Sequence, residues 1–188
     1  KVPAKNFKEF VELARSQPGK YTYGTGGAGA SNHFATEQFK MLAHVDLLHI
    51  PYQSATHAVT NLVGGQIDMV IGGLPTSAPL IHGGQLRALA VFMNKRSPLL
   101  PDVPTVVELG MPDLVVDTWY GVLAPAGTRP EILERLNREI TRIVKAPETQ
   151  QRMIKAGIDP LWSTQAEFAA FVKADYEKWA KVTRTARL

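Results

Sequence analysis

A glycine-rich stretch holds the residues of this sequence that are best suited to chemistry. Residues 24–33 read Gly-Thr-Gly-Gly-Ala-Gly-Ala-Ser-Asn-His and lie between a predicted strand and a predicted helix. Glycines let the backbone approach a bound group closely, and the first N–H groups of a helix have no acceptor within the helix. Those donors and the positive end of the helix dipole favour an anion such as a carboxylate or a phosphate. The alternative interpretation is a tight turn whose glycines only relieve steric clashes.

Two further turns are predicted to leave the same edge of a sheet. One follows the strand predicted over residues 47–52, and the other follows the apolar run 67–71. In an open parallel sheet, ligands bind outside the carboxyl ends of the strands. None of the three turns contains Lys or Arg, which tight phosphate recognition would favour. The pattern therefore predicts a carboxylate site in which backbone N–H groups hold the ligand.

Side chains complete the predicted site. Thr25, Ser31 and Gln53 are expected to donate hydrogen bonds, and His33 is expected to form a hydrogen-bonding wall that supports the loop. The predicted ligand-binding residues are Thr25, Gly26, Gly27, Ala28, Gly29, Ala30, Ser31, His33, Tyr52, Gln53, Gly73 and Leu74.

The same glycines also match the dinucleotide-binding pattern G-x-G-x-x-G, at Gly24, Gly26 and Gly29. That pattern needs an acidic residue at the end of the following strand to hold the ribose hydroxyls. Asp46 stands at the start of that strand, and the far end, residues 51–53, has no carboxylate. A dinucleotide-dependent oxidoreductase that uses the Gly24–Gly29 loop is therefore the alternative function.

Residues that could serve catalysis or bind metal are present without a productive arrangement. Ser31 and His33 stand two apart at one helix start, so they do not face each other for general-base activation. We expect no helical i, i+4 pairing of any of the five histidines with an acid, and the chain has no cysteine, so a zinc site is not expected. We therefore predict no catalytic residue, no metal site and no cofactor, and we predict that the chain is not an enzyme.

Helix and strand signals alternate along the first part of the chain. Apolar runs of strand length suit strands buried on both faces of a parallel sheet, with helices as the crossovers. Capping residues such as Asn6 with Glu9 mark helix starts. The predicted strands lie near residues 20–23, 47–52, 67–71, 86–93 and 117–125, and the predicted helices begin near residues 6, 31, 54, 74, 105, 130, 147 and 164. The predicted fold class is α/β.

Composition narrows the class of partner. With 188 residues, 45% of them hydrophobic and 20% charged, the chain is expected to be globular, and no apolar run approaches the roughly 20 residues that span a bilayer. Much of the basicity behind the net charge of +4 lies near the C-terminus, in Lys and Arg that alternate with Asp175 and Glu177. Such alternation indicates a solvated helix face, so no nucleic-acid partner is expected. Because the chain starts at Lys1, we expect a processed product or a fragment.

Residues 126–188 are predicted to be almost entirely helical, with apolar stripes that lack a sheet to cover. The stripes comprise Ile132, Leu133, Leu136, Ile140 and Ile143 in one helix and Phe168, Phe171, Val172 and Trp179 in another. We therefore expect a further partner surface, and a homodimer with exchanged C-terminal helices is one way to supply it. A helical interaction module is the third interpretation of this region.

Short blocks along the whole chain resemble the extracytoplasmic solute receptors of tripartite tricarboxylate transporters, the Bug or TctC-like receptors. The blocks are Tyr23–His33, His49–Tyr52, Gly64–Asp68, Leu74–Ser77, Gly84–Val91, Arg96–Pro98, Pro101–Thr105, Trp119–Gly121 and Ala124–Gly127. The resemblance implies a type II periplasmic-binding-protein fold with two lobes that close over a small mono-, di- or tricarboxylate. It also implies a periplasmic location and delivery of the ligand to membrane permease subunits.

The resemblance assigns residues to lobes. Residues 1–118 would be the second, parallel-sheet lobe, and residues 119–188 the return strand and C-terminal helices of the first lobe. Family members carry a further N-terminal stretch with the opening strands of the first lobe, which these residues do not match. The family also often has acidic or amide residues where this chain has Gly72-Gly73. A particular ligand preference therefore does not transfer to this chain.

Overall fold

The computed structural model describes residues 2–116, 119–156 and 158–186. These residues form two compact units, one of residues 1–118 with 182–188 and one of residues 119–181. The elements are α1 (Phe7–Ser16), β1 (Thr22–Thr25), α2 (Ser31–Ala43), β2 (Leu48–Pro51), α3 (Ala55–Val63), α4 (Leu74–His82), a short 3-10 helix (Pro112–Leu114), α5 (Pro130–Lys145), α6 (Pro147–Lys155) and α7 (Gln165–Ala186).

The first unit is built around β1. This strand pairs in parallel with β2, from Thr22 opposite Leu48 to Thr25 opposite Pro51. On its other edge Tyr23 forms a single parallel bridge with Met69. Helix α2 connects β1 to β2, and α3 connects β2 to the Met69 segment, as crossover helices do in parallel sheets. The carboxyl ends of the paired strands, where the predicted binding turns begin, therefore lie at one edge.

Two of the predicted strands are wrong in extent, and a third does not form in the residues that the structure describes. The run 67–71 makes only the bridge at Met69, and the run 86–93 makes only a parallel bridge from Val91 to Thr105. Residues 119–125 form no strand, and positions 117 and 118 lie outside the described residues. A strand needs a continuous ladder of partners for its N–H and C=O groups. The runs 67–71 and 86–93 make a few backbone hydrogen bonds, such as Met69 N–H to the Thr22 carbonyl and Val116 N–H to the Phe92 carbonyl, but these bonds do not extend into a ladder.

The aromatic core of the first unit packs α1 and α2 against the sheet. Phe10 and Phe39 are almost fully buried, with ring centroids 6.4 Å apart, and Tyr23 of β1 is fully buried. Helix α1 starts at the predicted cap: Glu9 N–H donates to Asn6 Oδ1 at 2.9 Å, and Asn6 Nδ2 donates to Glu9 Oε1 at 2.7 Å. The cap satisfies a helix donor that would otherwise lack a partner.

The helix predicted near residue 105 forms only a turn. Its capping contacts are present, since Thr105 N–H donates to Glu108 Oε2 at 2.8 Å and Glu108 N–H donates to Thr105 Oγ1 at 3.1 Å. The chain then reaches Gly110, whose φ of +78° ends the turn. A cap without the length to continue does not make a helix, because the first helical turn is costly to form.

The second unit consists mainly of helices. Trp119 stacks edge-on against Phe168 and Phe171 at centroid distances of 5.6 and 5.5 Å, and its indole N–H donates to Asp175 at 3.0 Å. Helices α5 and α6 contain no buried residue. Across the described ranges, no helix combines the length and the apolar character that crossing a bilayer requires.

Candidate functional site

The glycine loop, residues 26–30, runs from the end of β1 to the start of α2. A Cβ on Gly26 would lie 2.9 Å from the backbone nitrogen of Ala55, so only glycine lets the loop meet the start of α3 this closely. Gly27 and Gly29 have φ values of +118° and +78°, which side-chain-bearing residues rarely adopt. The close approach that the structure shows is to the backbone of α3, whereas the sequence predicted one to a bound group.

Most amides of the glycine loop donate to acceptors nearby. Gly26 N–H donates to Asn32 Oδ1 at 3.3 Å, and Gly27 N–H donates to Thr25 Oγ1 at 3.3 Å. Gly29 N–H donates to His33 Nδ1 at 3.1 Å, and Ala30 N–H donates to the Gly27 carbonyl at 3.3 Å. These four bonds fix the shape of the loop and remove four of the predicted donors from direct use by a ligand.

Other amides remain free for an anion. Within the part of the chain that the structure describes, the N–H groups of Ala28, Ser31 and Asn32 donate to no acceptor, and no side chain caps α2. Helix α4 likewise starts at Gly73 without a side-chain cap. Unpartnered N–H groups at a helix start carry the positive end of its dipole. The hydrogen-bond donors that remain unpartnered at this edge are therefore neutral backbone groups.

The predicted side-chain donors differ in accessibility. Ser31 and Gln53 are exposed, whereas Thr25 is fully buried. The Thr25 hydroxyl donates to the Gly27 carbonyl at 3.1 Å and lies 2.6 Å from His49 Nε2. Thr25 thus supports the loop from within, and among the predicted side-chain donors only Ser31 and Gln53 are open to solvent.

The remaining predicted residues lie at the same edge. Tyr52 N–H donates to the Thr25 carbonyl at 3.0 Å and continues the β1–β2 ladder by one bond. Gly73 is exposed, and a Cβ there would meet nothing within 4 Å, so the start of α4 is open. Leu74 follows as the first residue of α4 and is half-buried.

A histidine pair supports the glycine loop. His33 and His49 stack with their centroids 4.1 Å apart and their planes 14° apart, and His49 stacks on Tyr23 at 4.8 Å. Burial lowers the pKa of both imidazoles below the ordinary histidine value. The neighbouring His33 lowers the pKa of His49 further, because a charged His33 would repel a proton on His49. Both rings are therefore neutral at pH 7, and the predicted supporting wall consists of two histidines.

His49 and Asn32 are site residues that the sequence analysis missed. His49 stands sixteen residues after His33, on β2, and only the parallel register of β1 and β2 brings it beside Tyr23 and Thr25. Asn32 sits on the first turn of α2, where Asn commonly bonds to nearby backbone. Asn32 could have been found from its local position at the helix start, whereas finding His49 required knowledge of the strand pairing.

The expectation that no histidine has an acid four residues along a helix is wrong for His33, because Glu37 stands four residues after it on α2, a spacing that also suits metal ligands. Its carboxylate instead accepts from the Tyr23 hydroxyl at 2.5 Å and from Lys40 Nζ at 2.8 Å. Among the residues that the structure describes, no group of three His, Asp or Glu side chains could hold a metal ion.

The dinucleotide pattern does not fit the geometry. Gly24 lies inside β1, where a Cβ would come within 2.4 Å of Ile67 and 3.1 Å of Ala58, so it serves packing against α3. The end of β2 at Pro51 is followed by Tyr52 and carries no carboxylate. The position that would bind the ribose is therefore occupied by residues that cannot accept its hydroxyls as a carboxylate does.

The sequence model that describes tripartite tricarboxylate transporter family receptors (TctC) matches residues 1–188, the full length of the chain. The chain belongs to this receptor family. It is 37% identical over 192 residues to the UPF0065 protein of the tcbD-tcbE intergenic region of Pseudomonas sp. strain P51, and 30% identical over 184 residues to Protein BugT of Bordetella pertussis. These matches cover 100% and 98% of the chain but 57% and 56% of the relatives, so the chain spans little more than half of their length.

Solved structures of TctC-like receptors share the fold. A protein of R. palustris with adipate is 30% identical and superimposes with a TM-score of 0.87, covering 98% of this chain and 62% of that one. The periplasmic binding protein BugD is 30% identical with a TM-score of 0.84, at 98% and 62% coverage. MatC from Rhodopseudomonas palustris with bound malate is 26% identical with a TM-score of 0.84, at 96% and 62% coverage.

The comparisons confirm two predictions. The α/β fold is of the periplasmic-binding-protein type, with one parallel-sheet part and a helical part. The family is one of receptors rather than enzymes, so the prediction that the chain is not an enzyme holds at the level of the family. The oxidoreductase alternative is thereby wrong.

Proposed function

We propose that this chain acts in a periplasmic solute receptor that captures a small organic carboxylate for a tripartite tricarboxylate-type transporter and delivers it to membrane permease subunits. The observation that carries the proposal is that α2 and α4 begin at one edge without side-chain caps, and that the amides of Ala28 in the glycine loop and of Ser31 and Asn32 on α2 are free. Family membership supports the transport role.

The chemistry of this edge favours carboxylates over phosphates. None of residues 24–33, 51–55 or 72–77 is Lys or Arg, so an anion there is held by neutral donors. A carboxylate, with fewer charged oxygens to satisfy than a phosphate, suits such a donor set. Adipate and malate accompany two structures of similar receptors, which makes dicarboxylates the first compounds to test.

We assign residues 1–118 to the second lobe and residues 119–188 to the return strand and C-terminal helices of the first lobe. In two-lobed binding proteins, closure brings contacts from both lobes to the ligand and excludes water. The ligand contacts that this chain supplies come from the helix starts of the first compact unit. The chain alone is therefore expected to bind carboxylates weakly, through an open half-site.

The exposed apolar faces of the second unit support a homodimer of this chain. Ile132, Leu136 and Ile143 recur at helical spacing on α5 and are each at least 40% exposed. A monomer rarely leaves a continuous apolar surface of this kind in water. A second copy can cover it by an isologous contact or by exchange of C-terminal helices.

An NMR titration tests carboxylate binding and locates it. The 15N-labelled chain is titrated with malate and adipate, and adipamide serves as the uncharged control of matched length. We expect dose-dependent shifts of the amides of Ala28, Ser31 and Asn32 with both carboxylates and none with adipamide. Equal shifts with adipamide, or carboxylate shifts confined to other regions, would refute the proposal.

The Ser31→Ala variant tests the ligand-facing hydroxyl in the same titration. Because Ser31 is exposed at the start of α2, its loss should leave the fold intact and weaken binding by about 0.5–3 kcal/mol, the range between a neutral hydrogen bond and one to a charged group. Ser16→Ala, on α1, is the matched control and should leave the affinity unchanged. Unchanged affinity in Ser31→Ala would limit the site to backbone donors.

A further inference from the structure

The hydrogen bond between the glycine loop and His33 can form only when the imidazole is neutral. Gly29 N–H donates to His33 Nδ1 at 3.1 Å, so this nitrogen carries no proton and the neutral ring bears its proton on Nε2. A protonated imidazole has N–H groups at both nitrogens and accepts nothing. Protonation of His33 would therefore set two donors against each other at Gly29.

His49 ties the other side of the loop to the same pair. Its Nε2 lies 2.6 Å from the hydroxyl of Thr25, which also bonds to both the carbonyl and the N–H of Gly27. The two imidazoles are stacked 4.1 Å apart, and His33 is only 5% exposed. Two cations held at this distance, away from water, would repel each other strongly.

We propose that His33, stacked on His49, is a positioning residue that holds the glycine loop in its binding conformation only while both rings are neutral, so that carboxylate binding weakens in acid. The inference rests on the proposed function for its effect on the ligand. Its structural part, the loss of the bond from Gly29 to His33, stands on the geometry of the chain alone.

The groups that face the pair come from each of the elements packed around it. Tyr23 of β1 lies beside both rings, and Glu37 and Lys40 act on both from α2. Glu37 favours the charged form of the histidines, but its carboxylate is already bound to the Tyr23 hydroxyl and to Lys40. Lys40 opposes a further positive charge. The neutral state is therefore the one that these surroundings support.

The sign of the pH dependence follows from these contacts. Burial lowers the pKa of His33 and of His49 below the ordinary value in the folded chain, so the unfolded chain binds more protons. The support of the loop is complete above the ordinary histidine pKa of about 6.5 and is lost as the pH falls through the lowered pKa values.

The test needs no ligand in its first part. In the chain labelled with 15N, a scalar coupling across the hydrogen bond joins the Gly29 amide nitrogen to His33 Nδ1. We expect this coupling near pH 8 and its disappearance on acidification, together with shifts of the Ala28 and Ala30 amides in one transition. A proton on Nδ1 near pH 8, or a coupling that persists when His33 is charged, would overturn the inference.

Variants separate titration from packing. His33→Asn places an acceptor near the position of Nδ1 without a titrating group, so the loop amides should lose their pH dependence and keep their shifts. His33→Leu removes the acceptor and should displace them at every pH. His82→Asn, on the exposed end of α4, is the control and should titrate like the wild type. A His33→Asn chain that still shows the transition would refute the role of His33.

The pH dependence of malate affinity tests the effect of His33 on ligand binding. The affinity should fall severalfold between about pH 8 and pH 5 in the wild type and much less in His33→Asn, which corrects for the titration of malate itself. Equal pH dependence in both chains would overturn the inference while leaving the proposed function intact. Absence of malate and adipate binding at either pH would count against the proposed function, and the coupling measurement would still decide the state of the loop.

Discussion

Two glycines of the loop are required for different physical reasons. A Cβ at Gly26 would collide with the backbone of Ala55, which cannot move without displacing α3. A Cβ at Gly29 would meet nothing within 4 Å, but the φ of +78° disfavours any other residue. Replacement of Gly26 therefore forces the loop away from its neighbour, and replacement of Gly29 changes the direction in which its amides point.

Gly29→Val should abolish carboxylate binding. The left-handed conformation costs a residue with a side chain roughly 1–2 kcal/mol, so the loop relaxes and the free amides beside it lose their alignment. Gly65→Val is the matched control, since Gly65 has a φ of +71° and equally empty surroundings away from the loop. We expect a similar loss of stability in thermal unfolding for both variants and loss of malate-induced shifts for Gly29→Val alone. If Gly29→Val binds as the wild type does, the loop is only a structural turn.

At the scale of elements, β1 and α2 are joined by a buried polar contact. The Tyr23 hydroxyl donates to Glu37 at 2.5 Å, and burial raises the pKa of Tyr23, so it remains a donor at all relevant pH values. Lys40 completes the pairing of the carboxylate at 2.8 Å. This contact anchors the helix whose first turn carries the free amides of Ser31 and Asn32.

Tyr23→Phe should destabilise the chain. The change leaves the Glu37 carboxylate, which is only 12% exposed, without one of its two partners, and such a loss costs about 1.5–3 kcal/mol. Tyr21→Phe is the control, because Tyr21 is also buried but its hydroxyl makes no hydrogen bond within the described residues. Urea unfolding should show a clearly lower midpoint for Tyr23→Phe. Equal midpoints for the two variants would show that the buried contact contributes no net stability.

Helices and strands could be predicted when the contacts that form them join residues close in the sequence. Helices marked by a local cap and an apolar stripe, such as the one that starts after Asn6, follow from contacts within four residues. The runs 67–71 and 86–93 have strand composition, but pairing along a ladder depends on distant residues, which here meet each run at a single bridge. The composition of the run 67–71 therefore predicted a segment that pairs with the sheet, but it could not predict that the pairing is limited to Met69.

The same distinction applies to the site. The glycine loop, the helix starts and the lack of cations could be predicted, because each is visible within a few residues. The partners of the loop amides could not, because His49 reaches Thr25 only through the register of β1 and β2. The prediction that Thr25 donates to a ligand did not anticipate that its buried hydroxyl is shared between Gly27 and His49, a residue twenty-four positions later.

At the scale of the whole molecule, apolar surface remains exposed in the second unit. Tyr120, Leu123 and Leu161 are each at least 75% exposed, in addition to the apolar stripe of α5. Surfaces of this kind in a monomer mark contact sites. The homodimer proposal places a second copy of the chain on the stripe of α5.

Self-association should follow from this surface and respond to charge placed on it. We expect light scattering at micromolar concentration to give the mass of a dimer, and Leu136→Lys with Ile143→Lys to shift it toward the monomer, because lysines at a dry contact must be desolvated. Glu134→Gln with Glu177→Gln adds the same net charge at exposed positions and should leave the mass unchanged. A wild-type chain that remains monomeric would refute the homodimer.

The packing around Gly24 couples the substitutions that are tolerated at positions 24, 58 and 67. Its missing side chain lets Ala58 of α3 and the tip of Ile67 lie directly over β1, at distances where any Cβ would intrude. A larger residue could become established at position 24 only after Ile67 had been shortened and α3 had receded from the strand. Because Gly26 holds the start of the same helix against the glycine loop, that retreat would also alter the binding edge. Under the proposed function, a buried position is thereby coupled to the edge that would bind the ligand, and we expect changes at 24, 58 and 67 to occur together among relatives.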